Sequence, residues 1–451
     1  MIKSLRATAE RMLNLHPGEG WLVLSLLTVL AINAAVLELS DVVATAGFVS
    51  NLGADKIPLL WIVDMAVALV VATFFAARID RVPRIRLLLW MTGGLAALYL
   101  LLLILFGVGL PDWVTYPSLY IIADQQFMLF PLVFWALVND VYSLAQTKRL
   151  IPVISAGMAI GSIVGNLLPA LSAIIVVRHG GDNTFLFVLA ILLLFVSLVI
   201  LLLTFRKRVV RARLSASSEG DLRGMLRVGR DYFSNLPMLH YLAIAMLLVG
   251  LALTLIEFNF LYMIDVTFSS DLGFQAFYGV YKASLIVALV VFQGLITGRL
   301  LEKIPLKNGY QILPITLLAA SGVAVLATNL AGAAVGRFAA RFVERAWDEP
   351  VRNSTLGLIP DERRGRVSAF LESYLFAIAT IIGSAILMLL FWIGAQTSVQ
   401  YVVYAYLLVS AIASAGAIWA ARRAGATYDE SLLNWRLTRS RRKSALDGIE
   451  F

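Results

Sequence analysis

Seven charged residues crowd one stretch that is otherwise apolar: Arg337, Arg341, Glu344, Arg345, Asp348, Glu349 and Arg352. At helical spacing, positions 337, 341, 345, 348 and 352 form a single stripe. Charge of that density is costly in hydrocarbon, so the stripe must line a wet cavity, dock against acids, or both. Internal pairing, for example Arg345 with Glu349 at i, i+4, makes it structural. Alternatively, Arg341 or Arg345 presents its planar fork to an anion such as a carboxylate or phosphate. Lys282, beside Tyr278 and Tyr281, is a second cation in apolar sequence. It either holds an anionic head group while the rings stack on a flat moiety, or pairs with Glu257. Acids gather as well: Glu38 and Asp41 lie three apart, Asn139 adjoins Asp140, and Glu257 and Glu372 stand alone. Buried carboxylates of this kind neutralise arginines or take up protons. The candidate binding residues are therefore Lys282, Arg341, Arg345, Tyr278 and Asn139, and the candidate gating or coupling residues are Glu38, Asp41, Asp140, Glu257 and Glu349. Asp64, Asp124, Gln125, Gln126, Asn166 and Gln293 are also expected to face protein or cavity.

Catalytic chemistry has little to work with. There is no cysteine, and the three histidines, His16, His179 and His240, are far apart in sequence. No thiolate or local histidine metal motif, Walker loop or nucleophile elbow is present. The expectation is a protein with no cofactor, no metal and no enzymatic role.

The elements that must position these charges are membrane helices. Of 451 residues, 60% are hydrophobic and 14% charged, against roughly 25% charged in soluble domains. Twelve stretches are long and apolar enough to cross a bilayer: 21–46, 57–77, 87–108, 115–142, 150–176, 184–205, 238–264, 273–298, 310–328, 331–357, 367–394 and 398–420. The predicted fold is an all-α membrane protein with twelve transmembrane helices in a major facilitator-like six-plus-six pseudo-repeat. Its predicted parts are an interfacial helix in 1–20, a six-helix bundle over 21–205, a linker over 206–237, a second bundle over 238–420 and a basic tail over 421–451.

Loop charges test that count. Only Lys56 and Arg178 fall on one side of the bilayer, and Lys282, Arg337, Arg341, Arg345 and Arg352 fall inside spans. The rest of the 37 basic residues share the other face. One helix missed or invented would destroy this asymmetry. The positive-inside rule then places both termini in the cytoplasm, and a bacterial inner membrane is the expected location. The net charge of +9 is explained by topology, so no nucleic-acid partner is expected. The partners are the lipid bilayer and a small anionic solute; oligomeric state is not readable.

Two further patterns concern packing. Asp80-Arg81-Val82-Pro83 follows span two and Glu302-Lys303-Ile304-Pro305 follows span eight, an echo consistent with duplicated halves. Gly157, Gly161 and Gly165 recur every fourth residue in span five, which permits close helix approach.

Several local patterns resemble the ATP/ADP translocase type of nucleotide transporter and its bacterial relatives. They are Pro17-Gly18-Glu19 before span one, and Gly53-Ala54-Asp55-Lys56-Ile57-Pro58 opening span two. Phe134-Trp135-Ala136-Leu137-Val138-Asn139-Asp140 continues through Thr147-Lys148-Arg149-Leu150-Ile151-Pro152 to Gly157. Ile359-Pro360-Asp361-Glu362-Arg363-Arg364-Gly365-Arg366-Val367-Ser368-Ala369-Phe370 marks the turn into span eleven. The resemblance implies a major facilitator-like fold and exchange of nucleotides across a membrane. Three positions depart from it. Ser40 precedes Asp41 where an arginine is common, Trp61 replaces a lysine, and Gln146 replaces an acid. The expected activity is alternating-access transport of an organic anion, a nucleotide by the resemblance, on a pathway between the halves. A proton-coupled carrier of another solute, and a non-transporting scaffold or receptor of transporter-like fold, are the alternatives.

Overall fold

The computed structural model describes residues 16, 19–76, 82–179, 184–206, 237–297, 309–356, 374–394 and 399–427. Every regular element among them is helical. The first six helices are α1 (Gly20–Leu52), α2 (Ile57–Ala76, entered through a 3₁₀ turn at Ala54–Lys56), α3 (Arg84–Gly107), α4 (Asp112–Val141), α5 (Leu144–His179) and α6 (Thr184–Phe205). After the midpoint come α7 (Pro237–Thr267) and α8 (Asp271–Phe292), which runs on into a π-helical turn at Gln293–Thr297. They are followed by α9 (Ile312–Leu326), α10 (Leu330–Val343), a second π turn at Glu344–Asp348, α11 (Glu349–Leu356), α12 (Leu375–Gly394) and α13 (Val399–Ala426). Ten helices among the described residues are long and apolar enough to cross a membrane.

The interfacial helix expected in 1–20 lies outside the described residues except for His16, Glu19 and Gly20. So do nearly all of the 206–237 linker, the tail from 428, Glu372, both proline turns up to Arg81 and Pro305, and the Ile359–Phe370 motif.

Apolar runs become helices here because hydrocarbon offers no outside partner for the backbone, so each segment must bond internally. Burial then separates the faces. On α6, Leu186, Ala190, Leu194, Ser197 and Leu201 are buried, whereas Phe185, Leu192, Phe195, Leu202 and Leu203 are exposed. α1 is buried along most of its length on nearly every side.

The helices form two compact units whose boundaries cut across the sequence midpoint. Asp55–Leu69, the beginning of the second span, belongs with the later helices, and Phe268–Val287, the beginning of α8, belongs with the earlier ones. In the first unit, Leu26, Leu30, Tyr99, Leu119, Phe130, Phe134 and Leu186 centre the core. In the second, Met238, Leu242, Tyr310, Trp347 and Val351 pack together.

The glycines of α5 have the packing role their spacing predicts. A Cβ on Gly157, Gly161 or Gly165 would collide with the carbonyl of Leu27, Ala31 or Ala35 respectively. The two helices therefore run parallel at a constant sequence offset, with backbones in contact. The same offset of 130 residues pairs Arg149 with Glu19. In the second unit α7 and α12 also run parallel, with Gly250 on Ala379 and Gly383 on Thr254.

Candidate functional site

Charge inside the first unit centres on α1. Glu38 and Asp41 lie three residues apart, so both point to one side of the helix. α8 brings Lys282 between them, with Nζ 2.6 Å from Glu38 Oε2 and 2.5 Å from Asp41 Oδ2. Tyr278, one turn earlier and buried, holds its ring centroid 5.6 Å from the ammonium, within cation–π range. From α5, the buried Asn166 donates Nδ2 to Glu38 Oε2 at 3.1 Å and to the Ser162 carbonyl at 2.8 Å. α8 fits closely against α5 because Gly279 faces the Asn166 backbone, where a side chain would collide. Gln275 fastens the same contact by donating to the Pro169 carbonyl at 2.8 Å. Lys282 thus pairs with Glu38 and Asp41 and not with Glu257, its other partner on sequence grounds. The 241 residues between Lys282 and Asp41 explain why hydropathy alone could not choose.

In the second unit Glu257 of α7 takes two arginines of α10. Its Oε1 accepts from Arg337 Nε at 2.8 Å and Nη2 at 2.7 Å. Its Oε2 accepts from Arg341 Nε and Nη2, each at 3.1 Å. Arg341 also donates Nη1 to Glu344 at 2.9 Å, and the Arg337 guanidinium lies 4.5 Å from the centroid of the Phe260 ring. Further along, Arg352 Nε forms an ion pair with Asp348 Oδ2 at 2.9 Å.

The stripe expected over 337–352 does not survive intact. The π turn at Glu344–Asp348 inserts an extra residue per turn and shifts the register. Arg337 and Asp348 are buried, but Arg345 and Glu349 are exposed. The pairs that form are Arg341–Glu344 and Asp348–Arg352, one on each side of Arg345, rather than the expected Arg345–Glu349. The Arg345 carbonyl accepts from Gln293 Nε2 at 3.1 Å. Its guanidinium has no carboxylate partner among the described residues.

Asn139 and Asp140 stand apart from the Lys282 cluster. α1 and α4 run antiparallel with Gln126 Nε2 on Asn33 Oδ1 at 2.9 Å, so Asn139 lies about 27 Å along the axis from Glu38 at ~1.5 Å per residue. Asn139 is exposed, and Asp140 Oδ2 accepts from Arg84 Nη1 at 2.9 Å. The sequence signal for Arg84 is its position immediately after Pro83, opening a helix.

At the same end Glu19 receives Arg149 Nη2 at 2.7 and 2.8 Å, Gln146 Nε2 at 2.9 Å and the His16 backbone N–H at 3.0 Å. Burial pushes the Glu19 carboxyl up, but the His16 N–H, Gln146 and Arg149 outweigh it and hold the group below its ordinary 4.5. Gln146, where the resembling family has an acid, thus acts as a donor to an acid supplied from elsewhere. No group of three or more metal-ligating side chains occurs among the described residues.

The family model for the TLC ATP/ADP transporter matches residues 104–345. No curated protein matches the sequence significantly. Among solved structures, a mutant of the peptide transporter POT superimposes with a TM-score of 0.61 at 13% identity, covering 89% of this chain and 95% of that one. A bacterial homologue of the iron transporter ferroportin, in an inward-facing state, gives 0.60 at 14% identity, covering 89% and 98%. A bacterial homologue of the human lysosomal transporter Spinster, inward-facing and unoccupied, gives 0.54 at 14%, covering 93% and 98%. At these identities the likeness establishes the fold, which is of the major facilitator type.

Proposed function

Because the chain belongs to the TLC ATP/ADP transporter family and is a multi-pass membrane transporter, we propose that it is a twelve-span secondary carrier moving an organic anion by alternating access, with a nucleotide as the substrate the family suggests. Ten apolar helices, the shorter Ile312–Leu326 and the charged, π-interrupted run Leu330–Leu356 support twelve spans. Parallel, glycine-seated helix pairs in each unit, α1 with α5 and α7 with α12, support a six-plus-six repeat. In each repeat the first helix carries a mid-helix acid, Glu38 or Glu257, that holds cations. Loop charge supports cytoplasmic termini and, with them, a bacterial inner membrane.

One observation carries the anion reading beyond family. Lys282, Arg337 and Arg341 are each held by carboxylates, whereas Arg345 is exposed and has no carboxylate partner among the described residues. A π turn is a frequent feature of functional sites, since it moves one side chain out of the helical register. Arg345 is the residue whose fork is available for a phosphate or carboxylate. In the same unit Arg341 with Glu257, and in the first unit Lys282 with Tyr278, Glu38 and Asp41, are charges that can exchange partners. Asp140 is held by Arg84 at 2.9 Å, and Glu349 and Asn139 are exposed.

Uptake of radiolabelled ATP and ADP into proteoliposomes, with counter-exchange, tests this. Arg345→Gln should weaken apparent substrate affinity by about ten- to a hundred-fold, the loss of one charge-assisted contact of roughly 1.5–3 kcal/mol, and Arg345→Lys should recover part of it. Absence of flux for nucleotides and for a panel of other organic anions would sink the reading.

A further inference from the structure

Charge on α13 collects at one end of an exposed apolar stripe. At about 100° per residue, Tyr401, Leu408, Ile412 and Trp419 fall on one line of the helix, and all four are exposed. Arg422 and Arg423, also exposed, lie to either side of where that line ends. Neither arginine has a carboxylate partner among the described residues. α7 runs antiparallel to α13, with Tyr406 donating to Asn259 Oδ1 at 2.9 Å and Gly416 facing Leu248. The start of α7 therefore lies beside the end of α13. There Tyr241 meets Trp419 edge to face with ring centroids 5.9 Å apart, and the exposed His240 ring meets Tyr241 at 5.8 Å. We propose that Trp419, Tyr241, Arg422 and Arg423 bind the headgroup of an anionic phospholipid, with one of its acyl chains along the stripe of α13.

Length and charge both fit that occupant. From Leu408 to Trp419 the helix rises about 17 Å at ~1.5 Å per residue, close to one leaflet of a hydrocarbon core ~30 Å thick. The paired rings end that run where aromatic side chains settle, at the boundary between hydrocarbon and headgroups. A guanidinium fork matches phosphate oxygens in a bidentate geometry. Two guanidiniums without a carboxylate beside them favour a headgroup of net negative charge, whereas the ammonium of a choline headgroup is repelled. α3 supplies a contrast within the same chain. Arg86 is exposed one turn before the exposed Trp90, but its neighbour Arg84 is committed to Asp140. A lone cation with no second guanidinium at its side makes a weaker claim on a lipid. The site on α13 requires a bilayer and does not depend on what the protein transports.

Tryptophan quenching tests it. The full chain is reconstituted in phosphatidylcholine vesicles containing rising fractions of brominated phosphatidylglycerol, or of brominated phosphatidylcholine as the neutral comparison. Subtracting the fluorescence of Trp419→Phe from that of the wild type isolates Trp419. Half-maximal quenching of that component is expected at a mole fraction about ten-fold lower for the anionic lipid, since each surface arginine contributes about five-fold. Arg422→Gln and Arg423→Gln should each reduce the preference about five-fold and together abolish it, and Arg86→Gln should leave it unchanged. If Trp419→Phe does not fold, the amount of phosphatidylglycerol retained by the purified wild type and by the exposed-arginine variants decides in the same way. Equal quenching by the two lipids, or a preference that survives in the double variant, would overturn the site. So would an equal loss in Arg86→Gln, which would reduce it to general surface charge. Quenching by neither lipid would overturn it as well, by showing that protein covers α13. Nucleotide flux is not measured, so this inference and the transport reading fail separately.

Discussion

Replacing Glu257 by glutamine keeps the shape of the side chain and removes its charge, so it isolates the value of one acid holding two arginines. Four N–O contacts between 2.7 and 3.1 Å connect the three residues. Removing one partner of a well-buried ion pair costs roughly 3–5 kcal/mol, because the other charge stays behind in a poor solvent. Arg337, only 8% exposed, feels most of that. Arg341, at 22% exposure, keeps Glu344 at 2.9 Å, so its share is nearer the ~1 kcal/mol of a solvent-screened pair. The expected loss for E257Q is about 3 kcal/mol, close to a hundred-fold in the unfolding equilibrium. Equilibrium denaturation of the purified protein in mixed micelles measures it. Arg337→Met alone should cost little, since Glu257 then serves Arg341 alone. The double variant should cost about as little, because it leaves no orphaned charge beyond the Arg341–Glu344 pair. A coupling of about 2 kcal/mol between the two sites is therefore expected. Additive costs, or an E257Q loss under about 0.5 kcal/mol, would show that the carboxylate does not hold the arginines as described.

Other perturbations test different parts of the molecule. The folded Glu19 carboxyl sits below its ordinary 4.5, so its contribution is complete above that pH and fades as pH falls through and below it. The stability gap between wild type and Glu19→Gln should therefore be flat from about pH 6 to 8 and shrink under acid, and a gap that widened on acidification would contradict the assignment. Gly161→Ala should lose about 1–3 kcal/mol because its Cβ meets the Ala31 backbone. Gly94→Ala, with nothing within 4 Å of its Cβ, should be neutral or gain up to about 1 kcal/mol from helix propensity; equal effects in thermal unfolding would refute the packing account.

What the sequence made legible follows from the bilayer's severity as a solvent. Long apolar runs have one way to satisfy their backbone, so the helices from Gly20 to Phe205 and from Pro237 to Phe292 could be read from hydropathy, and α5 from its glycines as a helix seated on another backbone. Cost at membrane depth also marks which side chains must find partners, and Glu38, Asp41, Glu257, Lys282 and Arg341 all did. Which partner each would find was not legible. Lys282 had Glu257 nearer in sequence, yet it lies against α1 because Gly279 and Gln275 bring α8 onto α5.

The span-ten charges show the other limit, and they bear directly on function. A period of 3.6 residues assigns Arg345 to the same face as Arg337 and Arg341 and cannot say which of Arg341 and Arg345 is left over for a ligand. One π turn changes the outcome: Arg341 closes on Glu344 before it, Asp348 on Arg352 after it, and Arg345 leaves the network. The turn frees backbone carbonyls, and Gln293, itself in a π turn, donates to the one at Arg345. If that bond helps hold the displaced register, Gln293→Leu should favour ordinary α-helical register and draw Arg345 toward Glu349. Its effect on transport should then resemble that of Arg345→Gln, although Gln293 offers a substrate no charge. A Gln293→Leu protein with wild-type affinity would mean that Arg345 is set by its own surroundings and that the two π turns are independent.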